Sequence, residues 1–202
     1  MPKFNPNGRI IWEGLSPIDN KPIVLIATGL GSSKSSNPKT GHMVQTWILR
    51  QDIKPNEGHK NGENKSICGS CPHAGYNQGS CYVRWFQAPL SVFKCYSRGG
   101  YKHLSDKDLD LFNGVALRLG SAGDPAMVPV EVWQKLLSRV RSHTGYTHQW
   151  KTPWGQAYKG ICQASCDGLL DYVEASSHGW KCFRVKHKDS PTPKGSINCP
   201  AS

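Results

Sequence analysis

Three cysteines stand close together in this sequence, at Cys68, Cys71 and Cys81, and a fourth, Cys199, lies near its last residue. Glycine, serine and proline surround the first three, a composition typical of a loop that can turn several side chains toward one point. Converging thiolates bind metals, so the C-x2-C-x9-C pattern predicts a metal centre. An iron–sulfur cluster and a zinc ion are the two alternatives.

A structural zinc ion requires four tetrahedral Cys or His ligands, usually supplied by two closely spaced pairs. Cys68 and Cys71 form one such pair, but Cys81 stands alone. His73 could complete a zinc site, although it follows Cys71 by only two residues. Cys162 and Cys166 could supply the second pair. Zinc is therefore the alternative cofactor.

An iron–sulfur cluster is larger than a single ion and tolerates irregular ligand spacing, often with one remote cysteine followed by proline. Cys199 is followed by Pro200, so Cys68, Cys71, Cys81 and Cys199 fit a [4Fe–4S] centre. Glycines at 69, 75 and 79 are expected to let backbone N–H groups approach the sulfur atoms. Three aromatic side chains are expected to shield the centre from water: Tyr82, Trp85 and Phe86.

Hydrophobic periodicity predicts an α/β protein in which strands and helices alternate. Predicted strands cover residues 23–28, 43–49, 115–119, 145–150, 160–165 and 180–185. Predicted helices cover residues 88–98, 130–142 and 168–178. The prediction is a single domain, 1–202, with either an open, mostly parallel sheet or a partial (β/α) barrel. Residues 51–87 are expected to form an inserted loop carrying the cysteines, with 51–66 as an exposed connection.

Functional residues in parallel sheets gather past the carboxyl ends of the strands. This rule selects polar or thiol side chains at five positions: Asp124, His148, Cys166, Asp167 and His187. Asp124 and His148 are the candidate catalytic residues, expected to line a pocket beside the metal centre. An imidazole pKa near neutrality makes His148 a candidate proton donor.

The formal net charge of +11 favours an anionic partner, and nucleic acid is one such partner. No run of apolar residues is long enough to span a bilayer, and the first residues carry no apolar signal core. We therefore expect a cytoplasmic protein without a membrane partner. In a reducing compartment the eight cysteines favour ligands or free thiols, with disulfides as the alternative.

Five short motifs together resemble a family of uncharacterised bacteriophage proteins called after phage gene product eighty-eight. The matching positions are Cys71-Pro72, Cys81-Tyr82, 120–125, 146–148 and 199–201, so the resemblance covers roughly residues 65–202. It implies a viral protein, in the infected host cytoplasm, with a cysteine-bound cluster on a partial β/α barrel distantly similar to the radical-SAM core. The C-x3-C-x2-C loop of radical-SAM enzymes is absent, so S-adenosylmethionine chemistry is not supported. Family members continue past Cys-Pro-Ala into further cysteines, whereas this sequence ends at Ser202.

The favoured hypothesis is a viral [4Fe–4S] redox protein that transfers electrons to a partner or acts on a small substrate. The alternative is a nucleic-acid-binding protein with a structural zinc site. Its candidate phosphate-contacting residues are Lys34, Lys39, Lys60, Lys65, Arg84, Arg98, Lys102, Arg139 and Arg141. Its candidate base-stacking residues are Tyr82, Trp85 and Tyr101. A hydrolase using Asp and His around a divalent ion lacks a recognisable signature.

Overall fold

The computed structural model describes residues 4–31, 41–77, 79–186 and 189–197. Within these ranges nine strands form two sheets: β1 Gly8–Leu15, β2 Pro22–Thr28, β3 Val44–Arg50, β4 Lys102–His103, β5 Ala116–Ala122, β6 Ser142–Thr144, β7 Tyr146–Thr147, β8 Gln163–Cys166 and β9 Cys182–Arg184. The first sheet has the order β4-β1-β2-β3-β5-β6, and the second has the order β7-β8-β9. The predicted single α/β domain with an open, mostly parallel sheet is confirmed.

In the first sheet β2 is antiparallel to both β1 and β3, whereas β3, β5 and β6 pair in parallel. In the second sheet β7, β8 and β9 also pair in parallel. Only Gly145 separates β6 in the first sheet from β7 in the second. The carboxyl ends of β3, β5, β7 and β8 therefore follow one another along the same side of the molecule.

The core is centred on β2, where residues 23–27 are all fully buried. A continuous apolar strand of this kind is covered on both faces. The indole of Trp133 is also fully buried, and its Nε1 donates to the Pro125 carbonyl at 2.9 Å. This bond holds the helix that follows β5 against the turn at the end of that strand.

In the part of the chain that the structure describes, five α-helices connect the strands: α1 Pro55–Asn61, α2 Lys65–Cys68, α3 Ala88–Ser97, α4 Val130–Leu137 and α5 Leu169–Ser177. Short 3₁₀ helices lie at Gly75–Asn77, Asp106–Phe112, Pro125–Met127, Gln149–Lys151 and Trp154–Tyr158. The helix predicted for 130–142 ends earlier, at Leu137. Arg139 and Arg141 instead exchange backbone hydrogen bonds with Gly114 and Val115, which begins the pairing of β6 with β5.

The prediction of an exposed connection at 51–66 was wrong, because α1 and part of α2 lie there. Ser66 is fully buried, and its hydroxyl donates to Asp19 Oδ2 at 2.7 Å. The same hydroxyl accepts from Arg50 Nη1 at 3.0 Å, while Ser16 Oγ donates to the Ser66 carbonyl at 2.7 Å. Arg50 also pairs with Asp52 and Glu63. Polar contacts thus fix α2, the helix that ends at Cys68, against β3.

Replacing Ser66 with alanine is expected to lower the free energy of unfolding by about 1–3 kcal/mol, because Arg50 Nη1 loses a buried acceptor and Asp19 loses a donor. Urea unfolding monitored by circular dichroism measures this change. Ser97→Ala, at an exposed position at the end of α3, is the matched control and should change stability by less than about 0.5 kcal/mol. Equal effects of the two substitutions would contradict a structural role for the Ser66 network.

Candidate functional site

The residues selected from the sequence lie past the carboxyl ends of successive parallel strands. The segment carrying the cysteines follows β3, Asp124 follows β5, His148 follows β7 and Asp167 follows β8. Strand β3 is the neighbour of β5 in the first sheet, and β7 is the neighbour of β8 in the second. Side chains from four separate parts of the sequence are therefore brought to one region. This is the place where an open α/β sheet usually carries its site.

Cys68, Cys71 and Cys81 are partly buried free thiols that lie close enough for a charge on one to affect another. Burial raises the pKa of Cys68 well above its usual value, and Cys71, Cys81 and Asp124 act in the same direction. Burial also raises the pKa of Cys71 to about 11, opposed by a hydrogen bond from the His73 backbone N–H. The three thiols thus lie in one neighbourhood, and their assignment as ligands of a metal centre stays a prediction.

Three hydrogen bonds hold the turn that carries Cys68. The Asp124 backbone N–H donates to the Ile67 carbonyl at 2.7 Å. Gln149 Nε2 donates to the Cys68 carbonyl at 3.2 Å, and Ser70 Oγ donates to Gln149 Oε1 at 3.2 Å. Gly69 has a φ of +58°, and a Cβ there would lie 2.6 Å from Gln149 Nε2. Glycine is therefore required for both the turn and the approach of Gln149.

The Asp124 carboxylate is a buried hydrogen-bond acceptor. Oδ1 accepts from the Ala126 N–H at 2.9 Å and from Thr147 Oγ1 at 2.7 Å, and Oδ2 accepts from the His148 N–H at 2.8 Å. Burial raises the pKa of Asp124, while these three donors act in the opposite direction. Asp124 therefore positions His148 and the turn after β5. Its assignment as a catalytic residue stays a prediction.

His148 lies beside two other candidate ligands, His73 and Asp167. His73 Nε2 is 2.6 Å from Asp167 Oδ1, and His148 Nε2 is 3.6 Å from Asp167 Oδ2. The two imidazole rings meet edge to face, with their centroids 5.8 Å apart. One ligand atom from each of the three residues lies within 4.8 Å of the others, so they could share one ion.

The expectation that glycines let backbone N–H groups approach the sulfur atoms stays a prediction, whereas the expected shielding of the centre by Tyr82 and Phe86 was wrong. The space beside Gly75 is occupied by the His59 ring, and the space beside Gly79 by the His73 backbone, so both glycines permit close packing of the chain. Phe86 and Tyr82 are 62% and 70% exposed and cannot seal the site from water. Trp85 is buried and stacks on His59 with the ring centroids 5.8 Å apart.

The remaining sequence-selected residues divide into two groups. Cys162 and Cys166 are buried, and Cys166 lies beside Cys182 of the neighbouring strand, which is consistent with core positions. Cys199 and His187 lie outside the described residues, so the fourth-ligand assignment of Cys199 stays a prediction. All seven cysteines within the described ranges are free thiols.

No protein-family model, curated protein or solved structure matches this chain. The resemblance to the bacteriophage family therefore stays a prediction. Within the described ranges, every helix falls short of the length and hydrophobicity that crossing a bilayer requires.

Replacing Gln149 with leucine is expected to lower the free energy of unfolding by about 1–3 kcal/mol, because the Cys68 carbonyl and Ser70 hydroxyl lose their partner in a buried region. Chemical denaturation measures the change. The matched control is Gln87→Leu, since Gln87 is exposed and its side chain makes no capping bond at α3. An unchanged midpoint for the Gln149 variant would contradict its role in holding the cysteine turn.

Proposed function

We propose that the protein is a [4Fe–4S] cluster-binding redox protein that transfers electrons to a partner or to a small substrate. The observation that carries the proposal is the mutual proximity of Cys68, Cys71 and Cys81 beyond the carboxyl end of β3. Cys199 is proposed as the fourth ligand. The resemblance to bacteriophage proteins is the ground for proposing a viral origin.

The spacing of the three sulfur atoms favours a cluster over one zinc ion. Sulfur ligands about 2.3 Å from a tetrahedral zinc ion stand roughly 3.8 Å apart. Among the described residues, the group whose ligand atoms all lie within 4.8 Å is His73, His148 and Asp167, and it does not include the three cysteines. A multinuclear centre accommodates ligands that are further apart.

The electrostatics of the thiols also fit a cationic core. The Cys71 and Cys81 thiolates disfavour ionisation of Cys68, Cys81 does the same for Cys71, and burial acts in the same direction on both. A metal centre reverses this balance, because it binds the deprotonated ligand and releases the proton. The cysteines are thus arranged so that their ionisation would accompany metal binding.

When bound, such a cluster supplies one-electron transfer, and the protein sets its potential through charges and hydrogen bonds to the sulfur atoms. The backbone N–H of His73 donates to the Cys71 sulfur, which would raise the potential. Asp124 places negative charge near Cys68 and Cys71 and would lower it. The net charge of +11 favours an acidic redox partner or an anionic substrate.

Protein purified without oxygen is expected to be brown and to contain equal amounts of iron and acid-labile sulfide. Serine at position 68, 71 or 81 is expected to remove most of both, because a hydroxyl is a poor replacement for a thiolate ligand. Metal and sulfide analysis with visible absorption measures the loss. Cys199→Ser is expected to behave like the other three.

Cys182→Ser is the matched control, since Cys182 is also a partly buried free thiol but lies in β9. It should retain the wild-type iron and sulfide content. Colourless wild-type protein holding stoichiometric zinc would overturn the proposal.

A second candidate function is nucleic-acid binding, favoured by a groove of about 1030 Å³ along β9 and the residues that follow it. Tyr146 and Phe183 line it with their ring centroids 4.5 Å apart, and Lys181 and Lys194 lie beside them. Half-buried rings beside exposed lysines are suited to stacking on the bases and pairing with the phosphates of single-stranded nucleic acid. Of the three stacking residues expected from the sequence, Trp85 and Tyr101 are buried and cannot meet a base, whereas Tyr82 is exposed.

If the groove binds nucleic acid, Lys181→Glu combined with Lys194→Glu is expected to weaken binding of a single-stranded oligonucleotide. The slope of log Kobs against the logarithm of the salt concentration is expected to become shallower by roughly 1 or more. Fluorescence anisotropy across a series of salt concentrations measures both effects. The control carries the same charge change at Lys94 and Lys107, which are exposed outside the groove. Binding that ignores ionic strength would exclude this second function.

A further inference from the structure

We propose that His73, His148 and Asp167 form a second metal site, which binds one first-row divalent cation through two imidazoles and a carboxylate. The site is separate from the cysteine centre and does not depend on the function proposed above. Two nitrogen ligands and one oxygen ligand suit Zn²⁺, Fe²⁺ or Co²⁺, whereas Mg²⁺ and Ca²⁺ prefer oxygen ligands alone.

The first support is the convergence of ligand atoms from three distant segments. His73 follows the cysteine pair, His148 follows β7 and Asp167 follows β8, yet one ligand atom from each lies within 4.8 Å of the others. Nitrogen and oxygen ligands about 2.0–2.2 Å from a tetrahedral zinc ion stand roughly 3.4 Å apart. Small side-chain rotations would therefore bring the three atoms onto one ion.

The second support is a ring nitrogen that lacks a hydrogen-bond partner. Within the described residues, His148 Nε2 is shielded from solvent and makes no hydrogen bond, and the nearest carboxylate oxygen, Asp167 Oδ2, is 3.6 Å away. A buried polar atom without a partner is rare in folded proteins, because it has lost water and gained nothing in exchange. An ion between these two residues would supply the missing partner.

The third support is the set of contacts that orient the ligands, a common feature of metal sites. The other ring nitrogen of His73, Nδ1, lies 3.2 Å from Ser80 Oγ. The His148 backbone N–H is held by Asp124 Oδ2, and the Asp167 backbone N–H donates to Asp171 Oδ2 at 3.1 Å. Each ligand is thus positioned by a group that does not itself belong to the site.

The charges around the site also favour a cation, in spite of the basic composition of the chain. Lys151, the lysine close to Asp171, is engaged by Asp171 Oδ1 at 2.8 Å and by Glu174 Oε2 at 3.0 Å. Asp167 itself retains a second carboxylate oxygen. Three protein ligands leave at least one coordination position for water or for an oxygen atom of an anionic substrate.

Co²⁺ titration of the chelator-treated full chain tests the site, because its visible absorption reports ligand type. We use the Cys68→Ser/Cys81→Ser double variant beside the wild type, so that the cysteines cannot hold the ion. The double variant is expected to bind one Co²⁺ with d–d bands and without a thiolate charge-transfer band. His148→Gln or Asp167→Asn in that background is expected to weaken binding more than about 100-fold, beyond the 10–100-fold that loss of a supporting group costs.

His143→Gln in the same background is the matched control, since His143 is an exposed histidine whose Nε2 lies 3.1 Å from the Ile161 carbonyl oxygen. This control protein should bind Co²⁺ with the same affinity as the double variant. If His148→Gln or Asp167→Asn does not fold, as judged by circular dichroism, His73→Gln takes its place as the ligand variant, because His73 lies on the cysteine segment. Unchanged Co²⁺ affinity in the folded ligand variants would overturn the proposal. So would a thiolate charge-transfer band in the wild type, if replacing the cysteines abolished both that band and all Co²⁺ binding. If the wild type contains no iron or sulfide but still has this Co²⁺ site, the iron–sulfur proposal is refuted and the second metal site is retained.

Discussion

The buried carboxylate of Asp124 is the interaction on which the site depends. Its oxygen atoms accept from the turn after β5 and from both residues at the end of β7, while its own N–H donates to the helix that ends at Cys68. Buried carboxylates persist in proteins only when donors of this kind surround them. Through its carboxylate and its backbone N–H, Asp124 thus connects the end of β5 with the end of β7 and with α2, three segments that are far apart in the sequence.

Gln149 extends the same connection to the cysteines. Its backbone N–H donates to Thr147 Oγ1 at 3.0 Å, and its amide reaches the Cys68 carbonyl and the Ser70 hydroxyl. The side chain is 1% exposed, so these bonds form away from competing water. The cysteine segment is therefore attached to the sheet by directional polar bonds, which fix orientation more closely than apolar packing does.

Sequence patterns predicted the features that arise from local periodicity. The apolar strand at 23–28 and the helix ended by Gly179 were clear, and the strand-end rule selected Asp124, His148 and Asp167. Strand β1 was missed because Ile10, Ile11 and Trp12 are consecutive around a bulge, which hides the two-residue alternation. Helix α1 was missed because its sequence is polar.

The long-range contacts could not be predicted in the same way. Gln149 resembles any other polar residue in the sequence, and nothing local indicates that its amide meets Cys68. His73 and Asp167 are 94 positions apart, so their contact exists only after the chain has folded. Sequence reasoning located the members of the site individually, but only the fold determines which of them meet.

Gly145 lies where the chain passes from the first sheet to the second. It is the single residue between β6 of the first sheet and β7 of the second, and a Cβ on it would lie 2.8 Å from the Cβ of Leu119. Any larger residue would have to displace Leu119 of β5. The close passage of the chain from one sheet to the other therefore depends on the absence of a single methyl group.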